Sequence, residues 1–199
     1  AFLEGSNIEL NDISISDDGS SILYANRNGV CKYTTDYGAN WTDVPTLDKG
    51  GCCSVVGNKF IIVDYDVSTK TIMFSDNSGT SWTSSTIETD YNFNDVAIHN
   101  NLYSLVGENG IIYYSYDGIN WNLEIQNTTD SLFGVVPYGV DSFYYVSSSI
   151  SGERNLYNAT FGQINTSLIS SSQRVLNVDN SATGNLQFTG ASKEGRTLN

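Results

Sequence analysis

Apolar and polar residues alternate along this chain in short runs. The runs over residues 30–34, 71–75 and 111–115 repeat with period two, the mark of a strand with one buried face. Each is followed by a polar, Gly-bearing segment, a tryptophan and a second extended run, at residues 42–44, 83–85 and 122–125. The pattern predicts three β-hairpins. Two further strands precede each one. They are expected at 13–16 and 22–26, at 52–56 and 59–64, and at 94–98 and 102–106, joined by short turns rich in Gly, Asn and Asp. A fourth unit reads as strands at 132–136, 142–146, 155–161 and 163–169, and a fifth begins at 174–178 and 185–189. The run 8–10 is expected to complete a unit from the other end. No window keeps the i, i+3, i+4, i+7 apolar spacing of a helix.

The three hairpin segments read TTDYGANW, SDNSGTSW and SYDGINW, and their tryptophans Trp41, Trp82 and Trp121 lie 41 and 39 residues apart. Four strands per period of about 40 residues is the layout of a propeller blade. The chemistry of each segment suits a turn. Asp36, Asn77 and Asp117 can accept backbone N–H bonds inside the loop. Gly38, Gly79 and Gly118 can take a positive φ. The tryptophans supply large apolar wedges. The expected fold is therefore an all-β propeller of four to five four-stranded blades, or part of a larger one. Residues 1–169 hold the blades (about 11–45, 50–86, 92–125 and 131–169). Residues 170–199 form a partial fifth blade or a closing or assembly segment.

These repeats resemble Asp-boxes, also called bacterial neuraminidase repeats. Such motifs occur in sialidases, sortilin-type receptors, photosystem assembly factors, plant-type xyloglucanases and viral or bacterial surface propellers. In that family the motif is a structural hairpin between a blade's third and fourth strands, away from the ligand face. The resemblance implies that Thr34, Asp36, Gly38, Trp41, Ser75, Asn77, Gly79, Trp82, Ser115, Asp117, Gly118 and Trp121 are fold determinants. It also implies that ligand-facing loops lie at the opposite end.

Composition narrows the function. The 199 residues carry 22 acidic and 9 basic side chains, a formal net charge of −13. Four Arg and five Lys cannot build the basic face that phosphate contacts require, which argues against nucleic acid. The charge also argues against an anionic membrane surface, and no run of 18 apolar residues predicts a membrane-spanning helix. The three cysteines, Cys31, Cys52 and Cys53, are too few and too unevenly spaced for a disulfide framework or a zinc site. They read as small buried hydrophobes, with one bridge from Cys31 as the alternative. The sequons at Asn40, Asn127, Asn158 and Asn165 permit an extracellular setting without requiring one.

Sialidase chemistry needs an Arg triad for a carboxylate and a Tyr–Glu nucleophile. This chain has only Arg27, Arg154, Arg174 and Arg196, and no Tyr–Glu pairing stands out. A hydrolase of neutral sugars needs two facing carboxylates, for which the loops opposite the hairpins offer Asp48, Asp64, Asp66, Glu88, Asp90 and Asp130. Asp64-Tyr65-Asp66 also has the ligand type for Ca²⁺ without the rest of a known loop pattern. His99 reads as a turn residue. No cofactor is expected. Loop tyrosines, among them Tyr37, Tyr65, Tyr91 and Tyr138, suit adaptable protein or glycan contacts. The reading that follows is a non-enzymatic propeller acting as a structural or surface component of a large assembly such as a viral capsid, spike or tail. Its alternatives are an extracellular glycan- or protein-binding module and a neutral-sugar glycoside hydrolase. Expected partners are proteins of an assembly or a surface glycan, with oligomerisation open, at an extracellular or virion surface.

Overall fold

The computed structural model describes residues 9–47, 49–65, 68–124, 128–138, 142–148 and 154–160. They build four antiparallel meanders. Sheet one contains β1 (Leu10–Ile15), β2 (Ile22–Asn26), β3 (Lys32–Thr34) and β4 (Thr42–Asp43). Sheet two contains β5 (Gly50–Val56), β6 (Lys59–Asp64), β7 (Thr69–Ser75) and β8 (Thr83–Glu88). Sheet three contains β9 (Phe93–His99), β10 (Leu102–Gly107), β11 (Ile112–Ser115) and β12 (Asn122–Leu123). Sheet four shows β13 (Ser131–Tyr138), β14 (Ser142–Ser148) and β15 (Arg154–Thr160). Among the described residues the one helical element is a 3₁₀ turn at Glu108–Gly110.

The hydrophobic pattern explains why the sheets stack. In β6 the run Phe60-Ile61-Ile62-Val63 is wholly buried, so both faces of the strand need a cover. Alternate residues go to alternate neighbours. Phe60 and Ile62 join Leu23 and Ala25 of sheet one and Val44 and Leu47 of the connection that follows it, whereas Ile61 and Val63 join Phe93, Val96, Tyr103 and Leu105 of sheet three. A third cluster packs Ala97, Leu102 and Val106 against Leu132, Val135, Phe143 and Tyr145 of sheet four. The first strands of successive sheets therefore lie side by side in chain order.

Several limits differ from the sequence expectation. Leu10 opens β1, paired with Asn26, instead of belonging to a separate closing strand. Strands β7 and β8 run further than expected because Thr69 and Lys70 continue the ladder to Glu88 and Ile87. Tyr138, expected at a loop, closes β13 opposite Ser142. The expected strands at 163–169, 174–178 and 185–189 lie outside the described residues. The three cysteines are buried thiols, with no disulfide among them.

The hairpin motifs are held by their own side chains. Thr34 Oγ1 donates to Asp36 Oδ1 at 2.7 Å and accepts from Gly38 N at 3.2 Å, while Asp36 Oδ1 accepts from Asn40 N at 2.9 Å. Ser75 with Asn77, and Ser115 with Asp117, repeat the arrangement at 2.9 Å. The tryptophans are half-buried rather than fully enclosed. Trp41 packs against Tyr24 with ring centroids 5.5 Å apart and Trp82 against Phe60 at 6.2 Å, both tilted, and Trp121 meets Tyr103 edge-on at 6.5 Å. Each wedge is therefore seated on the second strand of its own sheet.

The motif glycine has a second duty that its turn alone does not reveal. Gly79, at φ +80°, lies so close to the Tyr33 ring of sheet one that an added Cβ would stand 2.3 Å from it. The Tyr33 hydroxyl donates to the Gly79 carbonyl at 2.8 Å. Gly118 lies against Phe74 of sheet two in the same way, with an added Cβ at 2.9 Å. Tyr33 and Phe74, which precede Thr34 and Ser75, thus each fit onto the glycine of the next hairpin. Gly38 has the same backbone, φ +84°, but an added Cβ would meet only Trp41 at 3.6 Å.

Gly38→Ala and Gly79→Ala consequently separate turn strain from inter-sheet contact. Gly38→Ala is expected to cost about 1 kcal/mol for the positive φ alone. Gly79→Ala is expected to cost about 2–4 kcal/mol, because the Tyr33 ring must also move. Equal losses in chemical denaturation would remove the inter-sheet role of Gly79. Trp82→Ala is expected to cost about 2–3 kcal/mol by the same measurement, below the value for a fully buried aromatic because the ring is only partly buried.

Candidate functional site

The chain direction sorts the connections into two ends. The hairpin motifs share one end with the turns between first and second strands. The second-to-third-strand turns and the sheet-to-sheet connections share the other. The motif end is committed to its own hydrogen bonds. The loop end carries the remaining candidate residues, and of these Asp48 and Asp66 lie outside the described residues.

Asp64 closes β6, and its Oδ1 accepts from Tyr65 N at 2.9 Å. The Tyr65 ring lies under the Arg27 guanidinium, 3.9 Å from centroid to Cζ, which is cation–π geometry. Arg27 Nη2 donates to Asn11 Oδ1 at 2.7 Å, and its Nη1 lies 3.6 Å from Glu9. Asn28 Nδ2 donates to the same carboxylate at 2.6 Å. Glu88 accepts from the Thr69 hydroxyl at 2.8 Å. Asp90 and Tyr91 stand exposed in the connection to β9. Asp130 is half-buried, and its N–H donates to Thr128 Oγ1 at 3.0 Å. The structure thus brings Arg27 onto the Tyr65 ring, with Asp64 accepting from the Tyr65 N–H beside it. Among the described residues no group of three or more His, Cys, Asp or Glu is arranged to hold a metal ion.

The pattern-based reading of the chain missed Arg27, and it missed a repeated clamp on the first strands. Asn11 Nδ2 donates to Gly51 O, and Asp12 Oδ2 accepts from Cys53 N at 2.8 Å. Eighty-three residues later (95 − 12), Asn94 Nδ2 donates to Leu132 O and Asp95 Oδ2 accepts from Val135 N, both at 2.8 Å. The signal was an Asn-Asp-Ile/Val triplet spaced by two periods. Gly51 and Cys52 hold the equivalent places in sheet two. The clamp therefore joins sheet one to two and sheet three to four. Sheets two and three are tied instead by Lys70, a lysine only 1% exposed, whose Nζ donates to Asn92 Oδ1 at 2.9 Å. Asn92 N in turn donates to Glu108 at 2.9 Å.

Burial governs the electrostatics here. Desolvation pushes the Asp95 carboxyl up to about 6 against the pull of two backbone N–H groups, and the Asp12 charge adds to the rise. Desolvation likewise raises the Cys52 and Cys53 thiols, which keeps them unreactive. At the hairpin end Asp36 falls to about 2 because Asn40 N and the Thr34 hydroxyl donate to it. Desolvation opposes the same fall at Asp117, where donors from Asn120, Ile119 and Ser115 outweigh it and bring the carboxyl to about 2.

No family model matches the chain, and no curated protein does. Solved structures do. YCF48 bound to D1 peptide superposes with a TM-score of 0.58 at 20% identity, over 76% of this chain and 52% of that one. An ancestral GH74 enzyme gives 0.60 at 15% identity, over 79% of this chain and 25% of that one. The computationally designed Ika4 protein gives 0.55 at 12% identity, over 78% of this chain and 94% of that one. The chain thus spans about half of that YCF48 chain and a quarter of the GH74 enzyme. At these identities the likeness concerns the fold, and the fold is an all-β assembly of propeller blades.

The Asp95 shift gives a pH test. A carboxyl held above its unfolded value stabilises the fold below the unfolded pKa of about 4, and that stabilisation is lost as the pH rises through about 6. Between about pH 5 and pH 7 the Tm of the wild type is expected to fall by an amount that Asp95→Asn abolishes, whatever the absolute stability of the variant. An identical pH dependence in the two proteins contradicts the assignment. Asp36 and Asp117 have the opposite sign: their contribution holds above the usual carboxylate range and disappears as the pH falls through about 2.

Proposed function

We propose that this chain is a non-catalytic propeller that holds a protein partner on its loop end, as one component of a larger assembly. The observation that carries the reading is the Arg27–Tyr65 stack beside Asp64, an aromatic and charged cluster buttressed by Glu9, Asn11 and Asn28. Arg and Tyr on a rigid base are favoured binding anchors. Rim acids and a net charge of −13 favour a partner surface of positive charge. The peptide held by YCF48 belongs to that protein and supports this reading as a precedent for the fold. In the same proposal the three hairpins are Asp-boxes whose polar residues serve the turn. A virion or other extracellular surface is the setting that this composition suits.

The neutral-sugar hydrolase reading has less support. Asp64 and Glu88 already accept local donors, and the likeness to GH74 enzymes extends to the fold alone. The test is selection of binding peptides from a displayed library, followed by affinity measurement. Selected peptides are expected to be basic and to lose at least about tenfold in affinity with Arg27→Ala or Tyr65→Ala. Tyr37→Ala, at the hairpin end and 72% exposed, is expected to leave affinity unchanged. Loss of binding through Tyr37 alone, or release of reducing ends from neutral oligosaccharides, overturns the reading.

A further inference from the structure

The packing between sheets repeats with a period of two sheets. Sheet one meets sheet two through Asn11 and Asp12, and sheet three meets sheet four through Asn94 and Asp95. Between sheets two and three the first strands meet through apolar residues instead. There Cys52, Ile61, Val63 and Ile72 of sheet two pack with Phe93, Val96 and Ile98 of sheet three. The offset that carries Asp12 to Asp95 also carries Leu10 to Phe93, Ile13 to Val96 and Ile15 to Ile98. Asp12 and Ser14 accept from amides of sheet two, so Ile13 and Ile15 turn to the opposite face. That face of sheet one therefore repeats the receiving half of the contact between sheets two and three. Phe93, Val96 and Ile98 are buried, whereas Ile13 is 62% and Ile15 57% exposed.

Sheet four repeats the other half. In sheet two Cys52 pairs with Val63, and Val63 with Ile72, in one row across the strands. In sheet four Gly134 pairs with Val146, and Val146 with Leu156. A neighbouring row pairs Val136 with Tyr144, where sheet two pairs Ser54 with Ile61. Gly134 takes the place of Cys52, so β13, like β5, has no carboxylate there to clamp a neighbour. Val146 is 44% and Leu156 65% exposed, whereas Val63 and Ile72 are buried. The opposite face of sheet four, with Leu132, Val135, Phe143 and Tyr145, already packs on sheet three.

One chain thus carries both halves of an apolar contact, and within one chain both stay exposed. Apolar faces of this kind mark interaction sites. Complementary halves at the two ends of a stack make a head-to-tail contact, which forms a ring where the rotation closes. Closed propellers have about four to eight blades. Two copies of four sheets supply eight, and a third copy would exceed the range.

We propose that two copies of this chain associate head to tail, each seating Ile13 and Ile15 on Val136, Tyr144, Val146 and Leu156 of the other. The contact continues, from chain to chain, the apolar packing that joins sheet two to sheet three. None of these six residues is charged. The net charge of −13 per chain opposes association at long range, and salt at about 0.15 M screens it beyond about 8 Å. Arg27 and Tyr65 have no part in this contact, so peptide binding and self-association fail or hold separately.

Sedimentation velocity on the full chain across a dilution series tests the contact. A species of twice the chain mass is expected, and its dissociation constant is expected to fall as salt is raised. Ile13→Asp and Val146→Asp place a charge in the contact from opposite sides. Each alone is expected to raise the dissociation constant at least about tenfold, with wild-type exchange protection kept at the buried amides of β6 and β10. Each variant retains one sound half. Mixing the two is therefore expected to restore a dimer held by one intact contact. A wild type that stays monomeric at every concentration and salt overturns the proposal, as does a dimer that neither variant weakens. Loss in only one variant assigns the dimer to a face paired with itself and also overturns it. Failure to recover a dimer on mixing, or a series of ever larger species, contradicts the closed pair.

Discussion

Everything in this molecule depends on covering both faces of each inner sheet. A four-stranded sheet with Phe60, Ile61, Ile62 and Val63 in one strand has no wet side to turn outward. The hydrophobic effect therefore acts between sheets as much as within them. Polar contacts set the registration. Tyr33 and Phe74 sit on the glycines of the following hairpins, and Asp12 and Asp95 accept N–H groups from the following first strands. An apolar interface between two twisted sheets tolerates sliding, whereas a ring docked on a bare backbone and a carboxylate aimed at one amide do not. That combination fixes where each sheet stands and how the loop end is assembled.

Much of the fold was legible in the residues. Period-two runs, turn residues and the tryptophan spacing locate the hairpins, because these signals are local and the turn chemistry is strict. The strand limits in sheet two were less legible, since β7 and β8 continue for as long as their ladder partners do. The inter-sheet contacts were the least legible part. Gly79 reads as a turn glycine from its own neighbours, and only the approach of Tyr33, 46 residues away, shows its second duty. The tryptophans read as core wedges and proved half-buried.

The loop end follows the same logic. Asp64, Tyr65, Glu88, Asp90 and Tyr91 could be assigned to that end from strand order alone. The chemistry of Tyr65 could not, because it depends on Arg27, which reaches that ring from another sheet. The Asn-Asp pairs at 11–12 and 94–95 were hidden for a different reason: their period is two blades, so a search at one blade passes over them. The propeller holds its loop residues still through contacts that cross from sheet to sheet. A binding role for that end is thus coupled to the stability of the stack.

The central claim is that no sheet stands alone. Native-state hydrogen exchange in low denaturant tests it most directly, followed at the buried amides of β2, β6, β10 and β14. The account predicts one shared opening free energy for these four strands, falling together as denaturant is added. Separate opening energies for the four sheets, each with its own denaturant dependence, would contradict it.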